Sequence, residues 1–331
     1  MTGILPDEGK VITEQTEEFT FDKLLIASGA SAATPDFEGN TSPFVFTVRN
    51  LSDIWGMREK LENARQGRII ISGAGLVSIE MGDAVNKLGY KPVFLVSSNK
   101  VLSMILDDEG SDILKKDMTE KGIDIHFGEN IRRVEVQEGK VLVEAESGEK
   151  FGGDLVITGK GASPNIEFLS SSGIEVERGV IVDEFLETSK KGVFAAGDVC
   201  QGYDIVYGEK RVHALWPVAI EQGRYAAMNM AGLNVPYKGS VARNVVTAFG
   251  NTVFTAGLSR SEELETHSRR EQNRYSKIVI KDGRLAGVIF INVKVDPGAY
   301  LFAIEREAGI SGLEDVLLSG SLSYTHLYSF L

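Results

Sequence analysis

The chain has 331 residues, of which 43% are hydrophobic and 25% charged, the balance of an ordinary globular protein with room for two or three cores. A formal charge of -12 and a pI near 5.0 argue against a nucleic-acid partner, which needs clustered Lys and Arg; Arg269-Arg270 is too short a run to reverse that. No apolar run reaches bilayer length and the start resembles no signal peptide, so the expectation is a cytoplasmic protein without a membrane partner. The single cysteine, Cys200, leaves no intrachain disulfide, Cys-x-x-Cys pair or zinc site. His126, His213, His267 and His326 are scattered singly, which suits surface or satisfied core histidines better than a metal site or a triad.

Lys10-Val11-Ile12 and Glu18-Phe19-Thr20-Phe21 read as short strands of a small meander, followed by a buried strand over 22–30 that ends in the small residues Ala27-Ser28-Gly29. After a polar loop over 31–42, residues 52–65 predict a helix capped by Ser52, with Ile54, Met57, Arg58 and Leu61 on one face.

Arg68-Ile69-Ile70-Ile71-Ser72 is then a short apolar run of the kind a buried parallel strand needs. Gly73-Ala74-Gly75-Leu76-Val77-Ser78 follows at once, and Ile79, Met81, Ala84, Val85 and Leu88 keep mostly helical spacing until Gly89. Lys91-Pro92-Val93-Phe94-Leu95-Val96 completes a βαβ unit. Gly73 permits the tight turn, and Gly75 lets bare backbone approach a pyrophosphate resting on the helix N-terminus. Ser78 replaces the third glycine of the usual pattern, a departure that a small side chain accommodates. An ordinary tight turn in an α/β domain is the competing reading.

About 20 residues after such glycines an acidic side chain normally accepts hydrogen bonds from a ribose hydroxyl. Here the region reads Ser97-Ser98-Asn99-Lys100, without a carboxylate. Lys100 either attracts a 2′-phosphate, mildly favouring NADPH, or is a solvated loop lysine, and both readings stand.

Further on, 107–121 predicts an amphipathic helix with Ile113, Leu114 and Met118 inward, and 123–127 a strand. Strands at 131–136 and 141–145 turn at Glu138-Gly139, and 154–158 returns. Val180 to Asp183 and Gly192-Val193-Phe194-Ala195-Ala196-Gly197-Asp198 supply later strands, the second ending in glycine and an acid that accepts hydrogen bonds from a ligand hydroxyl. Pro217 opens a helix over 218–231 whose free N–H groups face a ligand or simply the core. Cys200, with no adjacent base, reads as a small buried hydrophobe. From Tyr237 the chain becomes β-rich, with strands at 245–249 and 253–256 and a hairpin of 275–280 with 285–291 about Asp282-Gly283. A helix follows over 298–307. The tail from Ser319, with Tyr324, Tyr328, Phe330 and Leu331, is apolar enough to dock or is loose.

Four ordered segments carry a resemblance: Phe21-Asp22-Lys23-Leu24-Leu25-Ile26-Ala27-Ser28-Gly29, the Gly73 turn, Gly159-Lys160-Gly161-Ala162-Ser163-Pro164-Asn165, and Gly192 to Asp198. Together they resemble the pyridine nucleotide-disulfide oxidoreductase family. The runs from His213 to Arg224 and from Tyr275 to Leu285 look like its NADH oxidase, rubredoxin reductase and nitrite reductase branch. The resemblance implies an α/β protein: a Rossmann-like NAD(P)-binding domain (47–158) inserted in an incomplete FAD-binding domain (1–46 and 159–239), plus a small α+β C-terminal domain (240–331).

It also implies FAD and NAD(P)H as cofactors. Gly73, Gly75, Leu76, Val77, Ser78, Ser97, Lys100 and Gly161 would serve the nicotinamide nucleotide, with Glu80 near the nicotinamide or else solvated. Ala27, Ser28, Gly29, Gly197, Asp198, Trp216 and Pro217 would serve the flavin. No catalytic residue is assigned with certainty. Family members begin with another βαβ unit bearing the FAD pyrophosphate fingerprint, and Gly3, Gly9, Gly29 and Gly39 form no such pattern. The expectation is therefore a truncated or split member. It is either an NAD(P)H-dependent flavoprotein oxidoreductase that delivers electrons to a protein or small-molecule acceptor, or a nucleotide-binding subunit inactive without a companion. Homodimer and companion subunit both remain open, and thiol-disulfide reduction is disfavoured for want of a second cysteine.

Overall fold

A computed structural model describes residues 1–62 and 67–330, which divide into two compact units. One comprises Met1–Ser31 with Ala162–Ala242, the other Ala32–Gly161 with Arg243–Leu331.

The second unit is built on a five-stranded, wholly parallel sheet. Its order is Val45–Phe46, Leu155–Thr158, Arg68–Ser72, Lys91–Val96, Asp124–Phe127. Side chains alternate across a strand, so both faces of the isoleucine run must be covered. Ile69 and Ile71 join Leu155, Ile157, Phe94 and Val96 in a core on the helical side, whereas Ile70 joins Val156, Val93 and Leu95 under an antiparallel meander of Ile131–Gln137, Lys140–Ala145 and Lys150–Gly153. The meander turns on Glu138 and Gly139, both at positive φ, as a two-residue hairpin requires.

Helix α1 (Leu51–Leu61) is capped two residues earlier than expected. Asn50 is its N-cap, and the Asp53 carboxylate accepts the backbone N–H groups of Asn50 (2.9 Å) and Arg49 (2.7 Å), which displaces Ser52 from the capping role. Met57 is its buried residue, while Ile54 is exposed. The expected continuation to residue 65 falls partly outside the described residues. Helices α2 (Leu76–Lys87) and α3 (Asp108–Glu120) follow; α3 buries Ile113, Leu114 and Met118, and the Asp107 carboxylate caps it by accepting the Gly110 N–H at 3.0 Å.

In the first unit, Gly3–Leu5, Lys10–Ile12 and Glu18–Thr20 form a three-stranded antiparallel sheet. Leu24–Ile26 pairs in parallel with Val193–Ala195, a shorter strand than residues 22–30 suggest. Helix α4 (Trp216–Met230) packs against the turn that follows Val193–Ala195. A third sheet of Val180–Ile181, Cys200–Asp204 and Glu209–Val212 encloses a buried pair: Asp204 Oδ2 lies 2.8 Å from His213 Nε2. His213 is thus a satisfied core histidine.

The C-terminal segment forms a five-stranded antiparallel sheet that includes an edge strand, Glu265–Glu271, which sequence pattern does not suggest. The edge is polar on both faces and lacks alternation. Val246, Phe249, Val253, Tyr275, Ile289 and Ile291 of this sheet join the helical-side core of the parallel sheet. That shared core makes two units where three domains are expected, and pairing of Val45–Phe46 with Val156 and Ile157 places residues 32–46 in the second unit. Helices α5 (Pro297–Glu305) and α6 (Glu314–Leu318) complete this part. The tail docks through Leu322 and Leu327, both buried, while Tyr328 is exposed and Leu331 lies outside the described residues.

Candidate functional site: a glycine turn and two paired strand ends

The C-terminal edge of the parallel sheet carries the first group. Arg68–Ser72 passes through Gly73 (φ 88°) directly into α2, whose N-cap is Gly75. No side chain caps this end and no acid occupies its first turn, so the α2 N-terminus presents its N–H groups to an anion. A Cβ on Gly75 would come no nearer than 3.8 Å to the Gly159 carbonyl oxygen, so the bare backbone there opens outward.

The turn is held from both sides. Gly73 N–H donates to the Leu95 carbonyl (2.8 Å), and the Ala74 carbonyl accepts from Leu102 N–H (2.8 Å). Ser78 is fully buried and its Oγ donates to the Ser72 carbonyl at 3.0 Å, so the serine in the third glycine position ties the helix to its strand. Gly159 completes the close approach, because a Cβ there would lie 2.5 Å from Ser78 Oγ. Gly159 opens the Gly159 to Asn165 motif, and its fit against α2 depends on the pairing of Thr158 with Ser72. The buried hydroxyls of these two paired residues have no hydrogen-bond partner among the described residues.

Leu76, Val77 and Glu80 stand on the first turns of α2. Val77 and Glu80 are exposed, and partial desolvation raises the Glu80 carboxyl above its ordinary value. Ser97 is exposed at the tip of Lys91–Val96. Lys100 is neither free nor simply solvated: its ammonium pairs with the Asp108 carboxylate in the first turn of α3, which raises its pKa. Gly161, at φ 94°, is exposed beyond the Leu155–Thr158 strand.

The first unit carries the second group. Register pairs Ala195 with Ile26, so Ala27-Ser28-Gly29 and Ala196-Gly197-Asp198 leave adjacent C-terminal strand ends together. Gly29 (φ 68°) and Gly197 (φ 82°) both turn in the left-handed region. Gln222 of α4 is buried and accepts the Gly197 N–H at 2.8 Å. Asn165 clamps the other strand end: its Nδ2 donates to the Ser28 carbonyl (2.8 Å), its carbonyl accepts from Ser28 Oγ (2.9 Å) and its N–H donates to the Gly29 carbonyl (3.0 Å). Asn165 and Gln222 lie within runs that carry the resemblance, yet nothing local in the sequence marks either side chain as another loop's partner. Asp198 is half-buried, while Trp216 (80% exposed) and Pro217 open α4 without a side-chain cap. Cys200 is buried and its thiol is pushed up to about 12 by desolvation, the opposite of an activated nucleophile. Among the described residues no cluster of His, Cys, Asp or Glu could hold a metal, and no helix is long and apolar enough to cross a membrane.

A parallel sheet whose central strand runs through glycines into an uncapped helix defines the class as Rossmann-type dinucleotide-binding proteins. Comparison narrows it. The family model described as pyridine nucleotide-disulphide oxidoreductase matches residues 1–223, and the chain belongs to that family of FAD-dependent NAD(P)H oxidoreductases.

Its relatives include the NADH-dependent phenylglyoxylate dehydrogenase subunit epsilon of Aromatoleum evansii, 28% identical over 309 residues, covering 92% of this chain and 73% of that protein. The assimilatory nitrate reductase electron transfer subunit of Bacillus subtilis is 26% identical, with 92% of this chain matched to 39% of that one. The water-forming NADH oxidase from Lactobacillus brevis bound to NADH superimposes with a TM-score of 0.87 at 19% identity, covering 99% of this chain and 81% of that one. This last likeness establishes the fold.

Proposed function

We propose that this chain oxidises a nicotinamide nucleotide held at the Gly73–Gly75 turn and passes the electrons through FAD to an acceptor protein. The observation that carries the reading is the glycine turn running into the uncapped α2, where backbone N–H groups complement a pyrophosphate and a Cβ on Gly75 would meet only the Gly159 carbonyl oxygen, at 3.8 Å. The residues present fit the flavin end of FAD: Asp198 would bond the ribityl hydroxyls, and the open N-terminus of α4 after Trp216 would favour negative charge on the ring. FAD itself supplies the hydride-accepting ring when bound. Protein groups bind and orient, with Glu80 facing the nicotinamide from α2.

A protein acceptor is favoured over a thiol relay because the only cysteine is buried with its thiolate suppressed. Relatives named as an electron transfer subunit and a dehydrogenase subunit point the same way. The companion-subunit reading draws on the same two relatives, both named as subunits. The visible spectrum of the purified chain, with added FAD and then anaerobic NADH or NADPH, tests both. Bleaching of bound flavin supports the oxidoreductase reading. Nicotinamide binding with no flavin uptake sinks it for the isolated chain in favour of the subunit.

A further inference from the structure

The strand that follows α2 ends without an acid in its own sequence, and the fold supplies one from its neighbour. Two residues past the Asp124–Phe127 strand, Glu129 donates its N–H to the Val96 carbonyl (3.1 Å), while Gly128 N–H reaches the Ser98 carbonyl (3.4 Å). The pairing of these strands therefore runs on beyond both, and it sets Glu129 beside the tip next to the glycine turn. Glu129 is half-buried, and its Oε2 is buried with no hydrogen-bond partner among the described residues. A buried carboxylate oxygen without a donor is costly unless something else supplies the hydrogen bond.

Several cations near this rim already hold partners among the described residues. Lys100 pairs with Asp108, and the two further charges that act on it, Arg260 and Glu262, oppose each other. Arg260 also donates to the Ser103 carbonyl (2.8 Å). Lys160 donates to Asn130 Oδ1 (3.2 Å), with burial lowering its pKa against the smaller opposing pull of Glu146, and Lys115 lies over the Phe127 ring. A phosphate group arriving here meets the Glu129 carboxylate beside cations that already hold other partners.

We infer that Glu129 is the specificity-determining acid of the nicotinamide site: it accepts a hydrogen bond from the adenosine ribose of NADH and repels the 2′-phosphate of NADPH. This rests on the dinucleotide reading of Gly73–Gly75, since the adenosine ribose of a nucleotide so held lies at the tip of the second strand. It answers the question that Ser97-Ser98-Asn99-Lys100 leaves open, in favour of NADH.

The test is calorimetric titration of the full chain with NADH and with NADPH. The wild type should bind NADH at least ~10-fold more tightly, and Glu129→Gln, which keeps the shape and removes the charge, should lower that preference by ~10-fold. Glu129→Ser provides a second neutral variant should the first fold poorly. Binding of both nucleotides with a ratio unmoved in either variant, or a wild-type preference for NADPH, overturns the inference and leaves the site standing. Failure of the wild type to bind either nucleotide overturns the site and this inference together.

Discussion

Gly75 shows how much a single position can be asked to do. Its φ of -76° suits any residue and a Cβ there meets only ordinary contacts, so the fold does not demand glycine. A ligand does. Gly75→Val should leave the melting temperature nearly unchanged and weaken NADH binding ~100-fold, about 2.7 kcal/mol, because the branched side chain stands where the pyrophosphate meets the backbone. Paired titration and thermal melts check this, and undiminished affinity shows that the nucleotide lies elsewhere. Gly73 differs, since its φ of 88° makes the turn itself depend on glycine. The turn was legible in the sequence because strand, turn and helix are contiguous. Asn165 and Gln222 were not legible: each satisfies the backbone of a loop far away in the chain.

The contact between α3 and the C-terminal sheet is decided at the scale of elements. Lys277, buried on the Arg274–Lys281 strand, places its ammonium 3.0 Å from Asp107, the N-cap of α3. The Tyr275 hydroxyl donates to the same carboxylate at 2.8 Å, and desolvation followed by that hydrogen bond raises its pKa. A second latch lies at the Phe249-Gly250 turn, where Asp83 of α2 accepts the Phe249 N–H (2.9 Å) and Lys121 donates to the Phe249 carbonyl. Removing one member of a buried pair strands the other. Lys277→Met should therefore cost about 3 kcal/mol or more in urea denaturation, and adding Asp107→Asn should recover part of the loss. A neutral single variant would mean that packing of Tyr275 and Ile291 holds the sheet without the ion pair. The sequence marks Lys277 as an ordinary strand residue; only the sheet's position buries it.

Over the whole molecule, the two units have separate apolar cores, one around Val193 and Ala226 and another around the isoleucine run. The glycine turn belongs to the second. A nucleotide that binds only the folded state stabilises it by about 2.7 kcal/mol at 100 times its Kd. Differential scanning calorimetry with NADH should therefore raise one transition, that of the unit containing Ala32–Gly161 and Arg243–Leu331, and leave the other unmoved. One transition shifting as a whole would show that the two cores unfold together.

The sequence by itself determined the local units: the βαβ at Gly73, the α3 stripe of Ile113, Leu114 and Met118, and the hairpin at Asp282-Gly283. Their signals are periodicities and turn residues that lie within about twenty positions of one another. The family, too, was legible from four ordered motifs. Tertiary structure alone decided that the C-terminal sheet shares a core with the parallel sheet, that Lys100 is taken by Asp108, and that Glu129, whose Oε2 has no hydrogen-bond partner among the described residues, stands at the neighbouring strand tip. The shared core and the place of Glu129 depend on contacts between distant segments, and the Lys100 pair on how the loop folds against α3; a backbone amide or a charged side chain carries no signature by which a sequence could announce its partner.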